Sequence, residues 1–205
     1  MRRILNAGAG QRSARGIAPL FTSPEWEEVR LDIDPSVTPT VTGSITDMKD
    51  LFQSQSFDAV WSSHTLEHLF AHEVPAALSE FKRVLKPDGF ALIMCPDLES
   101  VAHHIVQHGA DHVAYVSAAG PITAIDMLYG HLASVAEGRH YMAHKTGFTA
   151  DLLGKLLIEA GFATVNVRRD DHFEICALAF AEQADQERIH AHLSDWGYDL
   201  MEASV

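Results

Sequence analysis

Cysteine is scarce in this chain, which holds two in 205 residues. Cys95 in ALIMCPD and Cys176 in FEICALAF both lie in strand-like apolar runs with no C-x-x-C pair. That pattern excludes a disulfide framework and a cysteine-built metal centre, and reads as buried reduced thiols. Basic residues are also few, 15 against 28 acidic ones, for a formal net charge of −13. Such a chain repels polyanions and offers no basic stripe, which argues against nucleic acid as a partner. No apolar run approaches the roughly 18 residues that span a membrane, and MRRILNAGAG reaches a glycine turn too early for the apolar segment of a signal peptide. A soluble, cytoplasmic protein without a membrane partner is expected. Internal repeats and low-complexity linkers are missing as well, and the length suits one domain over 1–205.

What is present is an ordinary globular composition, 47% hydrophobic, arranged as alternating strand and helix patterns. RILNA at 3–7 is a short apolar run ending at Gly8 and Gly10, a strand entering a tight turn. A helix is expected over about 11–21, then strands EEVRLDI at 27–33, TVTGSI at 40–45 and FDAVWSS at 57–63. Over 72–85 the residues Ala77, Phe81, Val84 and Leu85 repeat at helical spacing, and KPDG turns the chain into the strand FALIM. Thr149 can cap a helix with Leu152, Leu153, Leu156, Leu157 and Ala160 on one face, and ATVNVRRD and HFEICALAF then suggest a closing hairpin. The pattern describes an open α/β sheet with helices on both faces. Residues 1–97 form its cofactor-binding half, 98–148 an inserted lid, 149–182 the rest of the sheet and 183–205 a helical tail. Ligands in such sheets bind outside the carboxyl ends of the strands, so an insertion leaving the fifth strand is placed to cover the site.

LNAGAG ends the first strand with glycines two apart, which lets backbone pass close to a ligand. Asp32 follows 22 residues beyond Gly10, at a strand end where a carboxylate can accept from both hydroxyls of a ribose. In order and spacing, ILNAGAG, VRLDIDP, FDAVWSSHTLEHL, FKRVLKPDGFALI and AGF at 160–162 resemble the class I S-adenosylmethionine-dependent methyltransferases. They are most similar to a small bacterial, methyltransferase type 11-like group whose first motif reads LNLGCG and whose fourth strand leads into histidine and LEH. The likeness covers about residues 3–97 well and 141–180 loosely. It implies a Rossmann-like, doubly wound, mostly parallel seven-stranded sheet with a C-terminal antiparallel hairpin and a helical and loop insertion after strand 5. It also implies S-adenosylmethionine as cofactor, S-adenosylhomocysteine as product and direct in-line methyl transfer to a small-molecule acceptor. Ala7, Gly8 and Gly10 would lie against the methionine part, Asp32 would hold the ribose, and Ile33 would touch the adenine. Ser44 and Ile45 would meet the adenine edge, and Ser62 and Ser63 would approach the methionine moiety. Asn6 stands where the wider superfamily usually has an acid, although the narrower group also shows Asn. Ser44 stands where an aspartate often contacts adenine, with Asp47 nearby to compensate.

Within SSHTLEHL, His64, Glu67 and His68 spell H-x-x-E-H, a zinc-protease signature. That chemistry needs the motif inside a helix and a third ligand from a later helix, whereas here it leaves a strand, so no metal is expected. His64 would then sit at the cleft mouth, as a substrate-facing base or in a structural polar role. Tyr141 and Lys145 form the Y-x-x-x-K pair of short-chain dehydrogenases, which keeps an NAD(P)-dependent oxidoreductase as the alternative. Against it, Thr146 and Gly147 break the helix the pair needs, and Ser13 replaces the third glycine of G-x-G-x-x-G. A further alternative is a non-catalytic cofactor-binding or partner subunit, because Ile189, Leu193, Trp196 and Leu200 form a stripe able to dock on a partner or a second copy. A monomer or homodimer is expected. The insertion gathers Asp126, Tyr129, His131, Tyr141 and His144, groups able to orient a polar acceptor. His144 is the favoured base there, since an imidazole titrates near pH 6.5.

Overall fold

Short apolar strands that alternate with helices form a seven-stranded sheet in the computed structural model, which describes residues 1–12, 17–117, 119–170 and 172–194. The strands are β1 (Arg2–Ala7), β2 (Trp26–Asp32), β3 (Val41–Thr42), β4 (Phe57–Ser63) and β5 (Leu85–Pro96), the last entered from helix α1 (Val74–Val84). After β5 come α2 (Leu98–His108), a hairpin of β6 (Val113–Ser117) and β7 (Gly120–Thr123), and the short helices α3 (Ala124–Tyr129) and α4 (Leu132–Ala136). Helix α5 (Ala150–Glu159), β8 (Thr164–Arg169), β9 (Glu174–Phe180) and α6 (Gln186–Ser194) complete the described chain. The sheet order is β3-β2-β1-β4-β5-β9-β8. The first five strands pair in parallel, while β9 runs antiparallel to both β5 and β8. The order reverses between β1 and β4, and that switch point opens the crevice in which such sheets take ligands.

Side-chain parity on the central strands divides the core in two. Leu5, Val60, Ala91, Ile93, Ala177 and Ala179 face one layer, and Ile4, Ala59, Trp61, Leu92, Leu178 and Phe180 face the other. The first layer is covered by α1, whose Val74, Ala77, Leu78, Phe81 and Val84 fall on one helical face, and by Leu153 and Leu157 of α5. Full burial of a side chain such as Phe81 contributes about 1.5–3 kcal/mol. The Thr149 hydroxyl caps α5 by accepting the Leu152 N–H at 3.3 Å.

The second layer departs from expectation. Instead of a helix over 11–21, the described residues hold a short 3-10 turn at Pro19–Thr22, while 13–16 lie outside the described residues. Gly16 and Pro19 disfavour a helix there, and Phe21 works as a plug instead, its ring edge-on to Trp26 at 5.0 Å. Ile189 and Leu193 of α6 cover the rest, so this part of the tail stripe packs on its own sheet. Trp196 and Leu200 lie outside the described residues. The strand expected over 40–45 is only Val41–Thr42. The insertion carries a separate two-stranded sheet, β6 with β7, besides its helices. Among the described residues, no helix is long and apolar enough to cross a membrane.

Candidate functional site

The first wall of the crevice is built by β1 and β2. As β1 ends, Gly8 turns at φ 75° and its N–H donates to the Leu31 carbonyl at 2.9 Å. A Cβ on Gly8 would collide with the Thr65 side chain, whose hydroxyl donates to the Ala7 carbonyl at 3.2 Å. Gly10, at φ 55°, donates its N–H to Asp32 Oδ2 at 2.7 Å, and a Cβ there would project into open space. Asp32 Oδ1 accepts the Asp34 N–H at 2.9 Å. Each carboxylate oxygen has two lone pairs, so both keep capacity for a ligand hydroxyl.

Asn6, Gly8, Gly10, Asp32, Ile33, Ser44, Ile45, Ser63, His64, Tyr141 and His144 all line one cleft of about 1210 Å³. Ile33 is half exposed there, an apolar surface held open beside the acid. Ala7 and Ser62 are instead fully buried and do not line the cleft. Strand parity accounts for this: Ser63 faces out where Ser62 faces in, and the Ser62 hydroxyl has no partner among the described residues. Asp47 is not on the cleft wall either. Asn6 donates to Glu28 Oε1 at 2.7 Å, so its carbonyl oxygen is the group left for a ligand.

The opposite wall joins the LEH turn to the end of the insertion. His64 follows β4 in the left-handed region, φ 50°, with its N–H on the Met94 carbonyl at 2.9 Å. Such a conformation in a non-glycine residue costs about 1–3 kcal/mol and persists only where its surroundings impose it. Its Nε2 lies 2.6 Å from Glu174 Oε1 and its Nδ1 lies 3.4 Å from Glu67 Oε1. Two ring nitrogens facing two carboxylates call for two N–H donors, which only the imidazolium has. Burial opposes that charge, but Glu174 and Glu67 more than offset it and push the histidine up to about 10. His64 is thus a donor at neutral pH rather than the expected base.

Glu67 is buried, 1% exposed, on the short 3-10 turn Leu66–His68. Burial works to raise its carboxyl, yet the His64 donor and charge bring it below the ordinary value. Around it stand His68, whose Nδ1 is 3.2 Å from the Ala143 carbonyl, and His144, whose Nδ1 is 2.9 Å from the Met127 carbonyl. The two rings meet edge-to-face at 4.9 Å. Burial, more than any neighbour, lowers His144 and keeps it neutral at pH 7. Lys145 and Thr146 donate their N–H groups to the Glu67 carbonyl at 2.8 and 3.2 Å, stitching the end of the insertion to this turn. Tyr141 sits at the rim, 57% exposed, in a 3-10 turn, and Lys145 reaches the His68 carbonyl instead, so the Y-x-x-x-K residues share no helical face.

Three contributors escaped the sequence reading. Glu174 approaches His64 from the far end of the chain, with no local signal to mark it. Glu67, which the sequence marks only as a letter of H-x-x-E-H, is a buried acid. Arg30 is 2% exposed and donates to the carbonyls of Gly10 and Thr38, bracing the glycine turn from beneath. Here a signal existed: Glu28, Arg30 and Asp32 alternate on one face of β2, and a charged stripe on an inner strand has to be paired.

This arrangement is a crevice of the Rossmann-like class, with a glycine turn, an acid at the end of β2 and an imidazole-rich second wall. Residues 8–93 match the family model described as "Methyltransferase domain". No curated protein matches the chain. Among solved structures, the chain is similar to the 1,6-didemethyltoxoflavin N1-methyltransferase of Burkholderia thailandensis, crystallised with its substrate and S-adenosylhomocysteine. The identity is 17%, covering 87% of this chain and 70% of that one, at a TM-score of 0.55. A S-adenosylmethionine-dependent methyltransferase from Archaeoglobus fulgidus is 14% identical over 87% of this chain and 86% of that one, TM-score 0.57. A possible histamine N-methyltransferase from Thermotoga maritima is 15% identical over 87% and 81%, TM-score 0.55. At these identities the structures establish the fold. Together with the match over residues 8–93, they make the chain similar to S-adenosylmethionine-dependent methyltransferases. The crevice suits S-adenosylmethionine: Gly10 leaves open the space a side chain would fill, Asp32 keeps free lone pairs, and Ile33 offers an apolar face.

Proposed function

We propose that this protein transfers the methyl group of S-adenosylmethionine directly to a small polar acceptor bound between the glycine turn and the insertion. The observation that carries this reading is one cleft lined on one side by Gly8, Gly10 and Asp32 and on the other by His64, Tyr141 and His144. The bound cofactor supplies an already activated methyl group, so the chain's own task is to hold an acceptor nucleophile in line with it and keep water out. Asp32 and the Gly10 turn fix the donor end. His64, held as imidazolium between Glu174 and Glu67, places positive charge at the mouth of the cleft. The Tyr141 hydroxyl contacts it at the rim, and the insertion at 98–148 acts as the lid. Where the nucleophile must lose a proton, the Glu67–His68–His144 group is the place that receives it, because His144 Nε2 is unprotonated when its Nδ1 donates to Met127.

Incubating the protein with labelled S-adenosylmethionine and a metabolite extract, then isolating the labelled product, identifies the acceptor. With that acceptor, His144→Ala and Tyr141→Phe are expected to lower turnover about tenfold or more, with affinity for S-adenosylhomocysteine changed less than about threefold. Unaltered turnover in both variants would remove the acceptor from the insertion.

A further inference from the structure

Three electron-pair donors converge in the second wall with nothing between them to share. One ligand atom each from Glu67, His68 and His144 lies within 4.8 Å of the other two. Apart from the long approach of His64 Nδ1 to Oε1, neither carboxylate oxygen of Glu67 has a hydrogen-bond partner among the described residues, although the residue is 1% exposed. His64 offsets part of its charge but approaches only Oε1, at 3.4 Å. The ammonium of Lys145 is directed elsewhere, to the His68 carbonyl and over the Phe70 ring. The carbonyls of Ala143 and Met127 occupy Nδ1 of His68 and His144, and Nε2 of each has no partner among the described residues. That is how metal-ligating imidazoles are held, with the other ring nitrogen fixed by a carbonyl or carboxylate. A buried carboxylate beside two imidazoles, its charge met only in part by His64, is costly unless a further cation joins them.

We propose that Glu67, His68 and His144 form a two-histidine, one-carboxylate site for a divalent first-row transition-metal ion. The donor set suits zinc, cobalt or iron and leaves coordination positions open toward the cleft. Ligands at roughly 2.0–2.2 Å from such an ion stand about 3–4 Å from each other, so side-chain rotations of about 1 Å close the site. It uses Glu67 and His68 of the H-x-x-E-H pattern but not His64, and takes its third ligand from the insertion. An ion there would hold an acceptor through an oxygen or nitrogen donor at or beside the reacting atom. The inference rests on the acceptor subsite proposed above but takes the place of its proton-accepting role, since a ligated His144 Nε2 receives no proton; metal binding is read without donor or acceptor, so the two readings fail separately.

The test is titration of chelator-treated protein with Zn²⁺ by calorimetry and with Co²⁺ by visible absorption. One equivalent is expected to bind with micromolar or tighter affinity, and the cobalt form to show ligand-field bands. His68→Gln, His144→Gln and Glu67→Gln should each weaken binding at least tenfold, with S-adenosylhomocysteine affinity within threefold as the sign of an intact fold. The exposed cluster of His104, His108 and His112 on and after α2, with rings about 5 Å apart, is the competing site. His104→Ala/His108→Ala protein should still bind its equivalent. No binding below about 100 µM, or binding lost only in the α2 variant, overturns the proposal.

Discussion

Glu80 is buried on α1 and still ionised, because Arg83 closes on it with two donors at 2.7 and 2.8 Å and the Met48 N–H adds a third at 2.7 Å. The Arg83 hydrogen bonds hold the carboxyl below its ordinary 4.5, against burial, which would raise it. A carboxyl depressed in the folded state stabilises the protein fully above the unfolded value, and that contribution disappears as pH falls through the folded value. The thermal midpoint should therefore drop as pH is lowered below about 4.3. Glu80→Gln should lose about 1–3 kcal/mol at pH 7, since one buried acceptor of charged donors is replaced, and show a shallower acid dependence in the same scan. At Gly10, φ 55° and the open space beyond make alanine both strained and obstructive. Gly10→Ala should weaken S-adenosylhomocysteine binding at least tenfold by calorimetry, while His64→Ala, on the other wall, leaves it within threefold.

The insertion is anchored where α2 leaves β5. Asp97 is fully buried and caps α2, accepting the Glu99 N–H at 3.0 Å and the Ser100 hydroxyl at 2.6 Å. Its second oxygen also takes Arg169 Nε of β8 at 2.7 Å, so one carboxylate ties the inserted segment to the closing hairpin. Removing a helix cap costs about 0.5–2 kcal/mol, and leaving the Arg169 and Ser100 donors unpaired adds to it. Asp97→Ala is expected to destabilise the protein by about 2–3 kcal/mol in urea titrations. Asp97→Asn, which keeps an oxygen for the cap, should cost less. An equal loss in both variants would assign the whole effect to the ion pair.

At the level of the whole molecule, the crevice spans the sheet's switch point, so a ligand bound there would clamp β1, β2 and β4 together. A ligand present at 100 times its dissociation constant adds about 2.7 kcal/mol to the folded state. For a chain of this size that is roughly 5–10 °C in the thermal midpoint. S-adenosylhomocysteine should produce such a shift and NADH none; the reverse result would favour the oxidoreductase reading. Cys95 and Cys176 should stay unmodified by thiol reagents in the folded protein. Burial raises both thiols, Cys176 up to about 12, and leaves almost no thiolate at neutral pH.

What the sequence determined by itself is the architecture and the wall of the crevice built around the glycine turn. Strand and helix periods are local, the glycine turn follows β1 directly, and Asp32 closes the next strand, so these features were legible from residues a few positions apart. Local reading overreached where packing chose otherwise, as with the 3-10 turn in place of a helix and the inward Ser62. The second wall was decided only by tertiary structure. His64 meets Glu174 across 110 residues, and His68 meets the Ala143 carbonyl across 75. No periodicity carries such pairings; they follow from β9 lying antiparallel against β5 and from the insertion returning to the LEH turn. The H-x-x-E-H letters alone could not say which histidine a buried glutamate would face, because that depends on where the chain brings His144.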